Sequence, residues 1–188
     1  MKAIPVIFLD RDGVINSPAR PHEYITRRED FVILPGVYEA LRMLRVAGFR
    51  IFIVTNQRCI ARGIASREEI DALHGWMTED FAANGCFVDG VFVCPHGDDD
   101  GCDCRKPKPG LLVQVQRHLE ASECVTVDKP GSWMIGDSLS DEQAGISYGV
   151  NTVFIGGEYP RGNDGRIHIT ARDILDSSRK ILEGRYSH

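Results

Sequence analysis

The sequence predicts an α/β fold: a Rossmann-like three-layer sandwich around a central parallel sheet. Three observations predict it. Short apolar runs recur along the 188 residues, and each is continuous rather than alternating, as in strands covered on both faces. Helical patterns separate the runs, which implies βαβ units with right-handed crossovers. Most runs end in polar residues, where open parallel sheets place their sites.

Val6-Ile7-Phe8-Leu9 reads as the first strand. Val37, Leu41 and Leu44 then share a helix face with Ala40 and Ala47 beside it, after Pro35-Gly36 and before a terminating Gly48. Ile51-Phe52-Ile53-Val54 is the second strand. Ser66-Arg67-Glu68-Glu69 has the pattern of a capping box and opens a helix that turns Ile70, Leu73, Met77 and Phe81 inward. Val91-Phe92-Val93 is the third strand, and Pro109-Gly110 starts a helix carrying Leu111, Leu112, Val115 and Leu119. Trp133-Met134-Ile135 and Val153-Phe154-Ile155 complete the strands, with helices expected over 139–148 and 170–183. No repeat or interdomain linker interrupts this order, so residues 1–188 are expected to form a single domain. Nothing between the second and fourth strands reads as a large cap domain. The polar, proline-bearing stretch between Asn16 and Phe31 is expected to cover the site.

The formal net charge is -5 and the pI about 5.7. That balance argues against a nucleic-acid or anionic-membrane surface, because phosphate-rich partners reward net positive charge. An anionic small substrate remains open, since a few aimed Lys and Arg side chains suffice. No apolar run approaches a membrane span, and the N-terminus lacks a signal-peptide layout. A cytoplasmic, monomeric protein is the expectation, with its six cysteines mostly reduced.

The chemistry follows the strands. Asp10-Arg11-Asp12-Gly13 ends the first; two acids one residue apart point to the same side of an extended chain and can hold a hard cation and divide nucleophilic and acid–base labour. A solvated turn also favours Asp and Gly. Thr55-Asn56-Gln57 offers neutral donors suited to phosphate oxygens, or a plain polar turn. Cys94-Pro95-His96 and Cys102-Asp103-Cys104 place four soft or borderline ligands within eleven residues, a spacing that can close a tetrahedron around Zn²⁺. A disulfide fits a reducing compartment poorly. With four protein ligands the site would be structural, a zinc-stabilised loop. Arg105-Lys106-Pro107-Lys108, anchored beside that knot and before a helix start, reads as an anion clamp. Gly136-Asp137-Ser138-Leu139-Ser140-Asp141 can put one carboxylate on a cation and one behind it, or cap a helix. Cys59, Cys86 and Cys124 read as ordinary thiols, and His74 receives no role.

The ordered set Asp-x-Asp-Gly, strand-end Thr, Lys and Gly-Asp-x-x-x-Asp, spanning residues 8–141, resembles the haloacid dehalogenase-like phosphatase superfamily. The segments from Phe8 to Asn16, from Val54 to Gln57, and from Cys94 through Pro107 resemble its zinc-containing branch. The resemblance implies that Asp10 is the nucleophile, Asp12 the general acid and then base, and Thr55 and Lys106 the groups that steady the transferring phosphoryl. It implies Mg²⁺ on Asp10, the Asp12 carbonyl and Asp137, and Zn²⁺ on Cys94, His96, Cys102 and Cys104. Arg11, Asn56, Gln57, Arg58 and Arg105 would meet the substrate, with Arg58 supplying charge where relatives carry a lysine at the position of Ser138. Ile60-Ala61-Arg62-Gly63 is similar to the heptose bisphosphate side of the branch, so a small sugar phosphate is the implied substrate and removal of the 7-phosphate of a heptose 1,7-bisphosphate the implied reaction. Hydrolysis of histidinol phosphate is the alternative within the branch, and a non-catalytic zinc-knuckle binding module the alternative outside it.

Overall fold

The computed structural model describes residues 1–156 and 168–185. A short strand β1 (Lys2–Ile4) leads into β2 (Val6–Leu9), whose residues are all buried. The side chains of β2 divide between two cores, as the two-residue period of a strand requires. Ile7 and Leu9 pack with Leu41, Leu44, Met77 and Phe81. Val6 and Phe8 pack with Leu112, Val115, Leu119 and Tyr148. Helices α1 (Val37–Val46), α2 (Arg67–Ala83) and α5 (Ile174–Arg185) therefore cover one face of the sheet, and α3 (Gly110–Glu123) and α4 (Leu139–Tyr148) the other. This is the expected three-layer arrangement. Each fully buried Leu or Phe in these layers contributes roughly 1.5–3 kcal/mol relative to exposure.

The main sheet adds β3 (Arg50–Asn56), β4 (Gly90–Cys94), β6 (Trp133–Gly136), β7 (Asn151–Ile155) and β8 (His168–Ala171). Its order is β4-β3-β2-β6-β7-β8, and every neighbouring pair is parallel. From β2 the chain steps outward through β3 and β4 on one side and through β6, β7 and β8 on the other. The order thus reverses beside β2, and the crevice of such a sheet lies beyond the carboxyl ends at that switch point. No large cap domain interrupts the described residues.

Two features differ from the sequence expectation. β1 pairs in parallel with β5 (Val125–Val127) as a separate two-stranded sheet, and strands of three residues are too short to carry a periodic signal. The last helix begins at Ile174 rather than at residue 170. His168–Ala171 instead extends the sheet edge on β7, and the helix starts where the Asp173 carboxylate accepts from the Asp176 amide at 2.7 Å. Among the described residues no helix is long and apolar enough to cross a membrane.

Candidate active site

The site begins one residue beyond β2. The Asp10 amide donates to Ile135 O on β6 at 3.0 Å, so the sheet ladder itself fixes the first carboxylate. The chain then turns back sharply. Arg11 O accepts from the amides of Ile15 (2.8 Å) and Asn16 (3.2 Å), and the Gly13 amide donates to Asn16 O at 2.8 Å. Gly13 has φ +80°, and a Cβ there would overlap the Asp137 carboxylate. Only glycine meets both demands at low cost.

This turn packs donors around Asp12. Its Oδ1 accepts from Arg11 Nη2 at 2.8 Å, from Arg11 Nε at 3.3 Å and from Asn16 Nδ2 at 2.9 Å. Its Oδ2 accepts from Gln57 Nε2 at 3.1 Å, and Gln57 also donates to Thr55 Oγ1 at 2.9 Å. The Asp12 carboxylate is therefore fixed in orientation while staying about one-third exposed. Thr55 accepts through its oxygen and keeps its own hydroxyl hydrogen to donate.

Lys106 supplies the cation. Its side chain is 1% exposed, and Nζ lies 2.8 Å from Asp10 Oδ1 and 2.5 Å from Asp141 Oδ1. Nζ also donates to Val54 O at 2.8 Å. Asn56 locks the lysine's backbone, donating to Lys106 O at 3.0 Å and accepting from its amide at 3.1 Å. Asp141, in the first turn of α4, is saturated from the other side: Ser138 N and Oγ donate to Oδ2 at 3.1 and 2.5 Å. Asp10, Asp137 and Asp141 have carboxylate oxygens within 4.8 Å of one another. Burial, followed by the charge of Asp141, raises Asp10 to about 7 against the opposing pull of Lys106. The same two causes, in the same order, raise Asp137 to about 6. Such crowding of acids is relieved by a divalent cation, and an all-oxygen donor set suits a hard one.

A second cluster lies beside the first. Cys94 ends β4, and Cys94 Sγ lies 3.7 Å from Cys102 Sγ, 3.2 Å from Cys104 Sγ and 3.6 Å from His96 Nδ1. His96 Nδ1 is 3.2 Å from Cys104 Sγ, and Cys102 and Cys104 are 3.6 Å apart. The edges of a tetrahedron with metal–sulfur bonds of about 2.3 Å are about 3.8 Å long. The four ligands thus already stand near the corners of a metal tetrahedron, and this cluster can form a structural metal site. The loop is tied to the catalytic strand, since the Gln57 amide donates to Cys94 O at 2.8 Å. Between it and the start of α4 opens a cleft of ≈ 490 Å³, lined in part by Asn56, Asp98, Arg105, Lys106, Lys108 and Ser140.

A haloacid dehalogenase-like hydrolase family model matches residues 4–149. The chain belongs to the haloacid dehalogenase-like hydrolase family. This hydrolase is 40% identical over 158 residues to D-glycero-beta-D-manno-heptose-1,7-bisphosphate 7-phosphatase of Photorhabdus laumondii, covering 80% of this chain and 79% of that protein. It is 38% identical over 187 residues to the enzyme of the same name from Vibrio cholerae, covering 95% of each. Its fold is similar to the crystal structure of D,D-heptose 1.7-bisphosphate phosphatase from B. bronchiseptica complexed with magnesium and phosphate, with TM-score 0.81, 31% identity, and coverage of 96% of this chain and 99% of that one.

The residues singled out in the sequence of this hydrolase converge on one end of the sheet, with the expected substrate contacts split. Asn56, Arg58 and Arg105 are partly exposed, and Arg58 and Arg105 both pair with Asp98. Arg58 Nε also donates to Tyr24 Oη at 3.2 Å, which joins the stretch after Asn16 to the loop between Cys94 and Cys104. Arg11 and Gln57 are instead 1% and 3% exposed and face inward behind Asp12. Burial of Arg11 follows from the tight turn, which folds its side chain under α2 rather than over the crevice. Asn16 and His74 carried no expected role. Asn16 was visible within the first motif, and His74 as a polar residue one turn after Ile70 on an otherwise apolar helix face.

Proposed function

We propose that this hydrolase removes the 7-phosphate of a D-glycero-D-manno-heptose 1,7-bisphosphate through an aspartyl-phosphate on Asp10. The observation that carries this reading is the pair of carboxylates beyond β2: Asp10 against the Lys106 ammonium, and Asp12 fixed by neutral amides and Arg11 with one edge open. The relatives named above supply the substrate class.

The steps fall to named atoms. An Asp10 carboxylate oxygen attacks phosphorus as the bond to the sugar oxygen breaks, and Asp12 gives that oxygen a proton. A water then attacks the same phosphorus, Asp12 takes its proton, and the Asp10–phosphorus bond breaks to release inorganic phosphate. Thr55 Oγ donates to an equatorial oxygen, and the charge of Lys106 Nζ stabilises the equatorial oxygens through both displacements. Asp10, Asp137 and the Asp12 carbonyl would hold Mg²⁺, which offsets the repulsion between a carboxylate nucleophile and a phosphate dianion. Asp141, its oxygens engaged by Lys106 and Ser138, sits behind and aims the lysine.

The same reading assigns Zn²⁺ to Cys94, His96, Cys102 and Cys104, and places the chain in the zinc-containing branch. The sugar would lie in the cleft beside Lys106, with Arg105 and Arg58 at its rim. A phosphate-release assay with Mg²⁺ tests the proposal. The heptose 1,7-bisphosphate anomers should exceed histidinol phosphate and hexose monophosphates in kcat/KM by at least about tenfold, and equal or better turnover of histidinol phosphate would overturn the substrate assignment. Metal analysis of the purified protein should return one zinc per chain; a clearly substoichiometric content counts against the zinc knot.

A further inference from the structure

We propose that His74 is a positioning residue for the reaction: a neutral imidazole on α2 whose Nε2 holds Arg11 so that Arg11 holds Asp12. This inference rests on Asp12 being the acid and base of the proposed function.

His74 and Arg11 are 4% and 1% exposed, and His74 Nε2 lies 3.1 Å from Arg11 Nη1. A guanidinium has donors only, so the imidazole nitrogen facing it must accept. That requirement fixes the tautomer: the ring is neutral with its hydrogen on Nδ1. Nδ1 is buried and finds no hydrogen-bond partner among the described residues. An unmatched buried donor is costly, and a leucine would pack at this position without it. What the histidine gives in return is the acceptor for Arg11. Burial and the Arg11 charge, in that order, lower its pKa to about 4, which agrees with a neutral ring.

Arg11 is thereby held from several directions. Nη1 meets His74, Nη2 donates to Ile25 O at 3.0 Å, and the guanidinium lies over the Phe31 ring at 5.5 Å from its centroid. Nε and the second Nη2 N–H point at Asp12 Oδ1. Arg11 is 1% exposed and turned inward, and its charge lies against Asp12, where it serves the orientation of that carboxylate. Removing the acceptor at His74 loosens the guanidinium and leaves the Asn16 amide to orient Asp12 Oδ1 with less help from Arg11.

Leaving-group dependence in single turnovers tests this. A sugar alkoxide needs the proton from Asp12, whereas nitrophenolate does not, so the ratio of sugar-phosphate to nitrophenyl-phosphate transfer rates reports the orientation of Asp12. His74→Leu is expected to lower that ratio about tenfold, and His74→Gln, whose amide oxygen can accept from Arg11, to restore it to within about twofold of the parent. A fall in melting temperature with an unchanged ratio in His74→Leu would reduce the residue to packing and overturn the inference. Asp12→Asn, run beside them, judges the underlying mechanism alone: an unchanged ratio there sinks the role of Asp12, not merely that of His74. Should His74→Leu fail to fold, the parent protein decides. Imidazole ¹⁵N NMR should show the neutral Nδ1–H tautomer from pH 6 to 8, and an Nε2–H or charged ring contradicts the proposal.

Discussion

One ammonium serves three oxygens at Lys106: Asp10 Oδ1, Asp141 Oδ1 and Val54 O. Its rotamer is fixed before substrate arrives, so its charge needs no reorganisation during phosphoryl transfer. Lys106→Met is therefore expected to lower kcat by roughly 10²–10³-fold, as for other preorganised charges, in steady-state assays with the melting temperature as control. An effect below about tenfold would remove Lys106 from the transition state. His74 makes a different kind of prediction. Its folded pKa, lowered to about 4 by burial and then by Arg11, lies below the ordinary value of 6.5. Between these values the unfolded chain binds a proton that the folded chain refuses, so stability falls as pH drops from about 6.5 toward 4. The parent should lose more stability than His74→Gln between pH 7 and pH 5, by at most about 2 kcal/mol in urea titrations. Equal losses would mean that the ring is charged in the fold.

At the level of elements, α2 carries a clear local signal. Ser66 Oγ accepts from the Glu69 amide at 3.1 Å, and Glu69 Oε2 accepts from the Ser66 amide at 2.7 Å. Ser66→Ala should cost about 1 kcal/mol of unfolding free energy, with kcat unchanged, since the cap lies outside the crevice. The metal loop responds differently. Residues 97–101 have no apolar side chains to bury, so on the proposed reading a metal on Cys94, His96, Cys102 and Cys104 holds the loop together with the pairs of Arg58 and Arg105 to Asp98. Removing the metal by chelation, or replacing Cys104 by Ser, should raise KM for the sugar phosphate more than it lowers kcat, because Arg105 and Asp98 line the cleft while Asp10 is fixed by β6. A loss confined to kcat would argue against that division. These elements were legible because each has a one-dimensional mark: a capping box, a ligand spacing, an apolar run ending in acids. The parts that escaped have none. β1 and β5 are three-residue strands that exist through each other, 120 or so positions apart in the chain. The inward turn of Arg11 depends on the backbone bonds of residues 11–16 and on a histidine from α2, and no spacing in the sequence encodes that meeting.

For the whole molecule, the reversal of strand order at β2 explains why the chemistry collects where it does. Asp10 follows β2, Thr55 lies one residue before the end of β3, the Cys94–Cys104 loop follows β4 and Asp137 follows β6, so parallel strands deliver all four to one edge. Both cores share that sheet, and urea unfolding is accordingly expected as one cooperative transition; two separated transitions would divide the chain into independent units. The claim on which the chemistry depends is a covalent phosphoryl group on the first of these carboxylates. Acid quenching during turnover of a sugar phosphate, followed by peptide mapping, tests it most directly. The phosphoryl group should be found on Asp10, and Asp10→Asn should show neither the label nor turnover. A label on another residue, or an Asp10→Asn variant that hydrolyses the substrate at the parent rate, would contradict it.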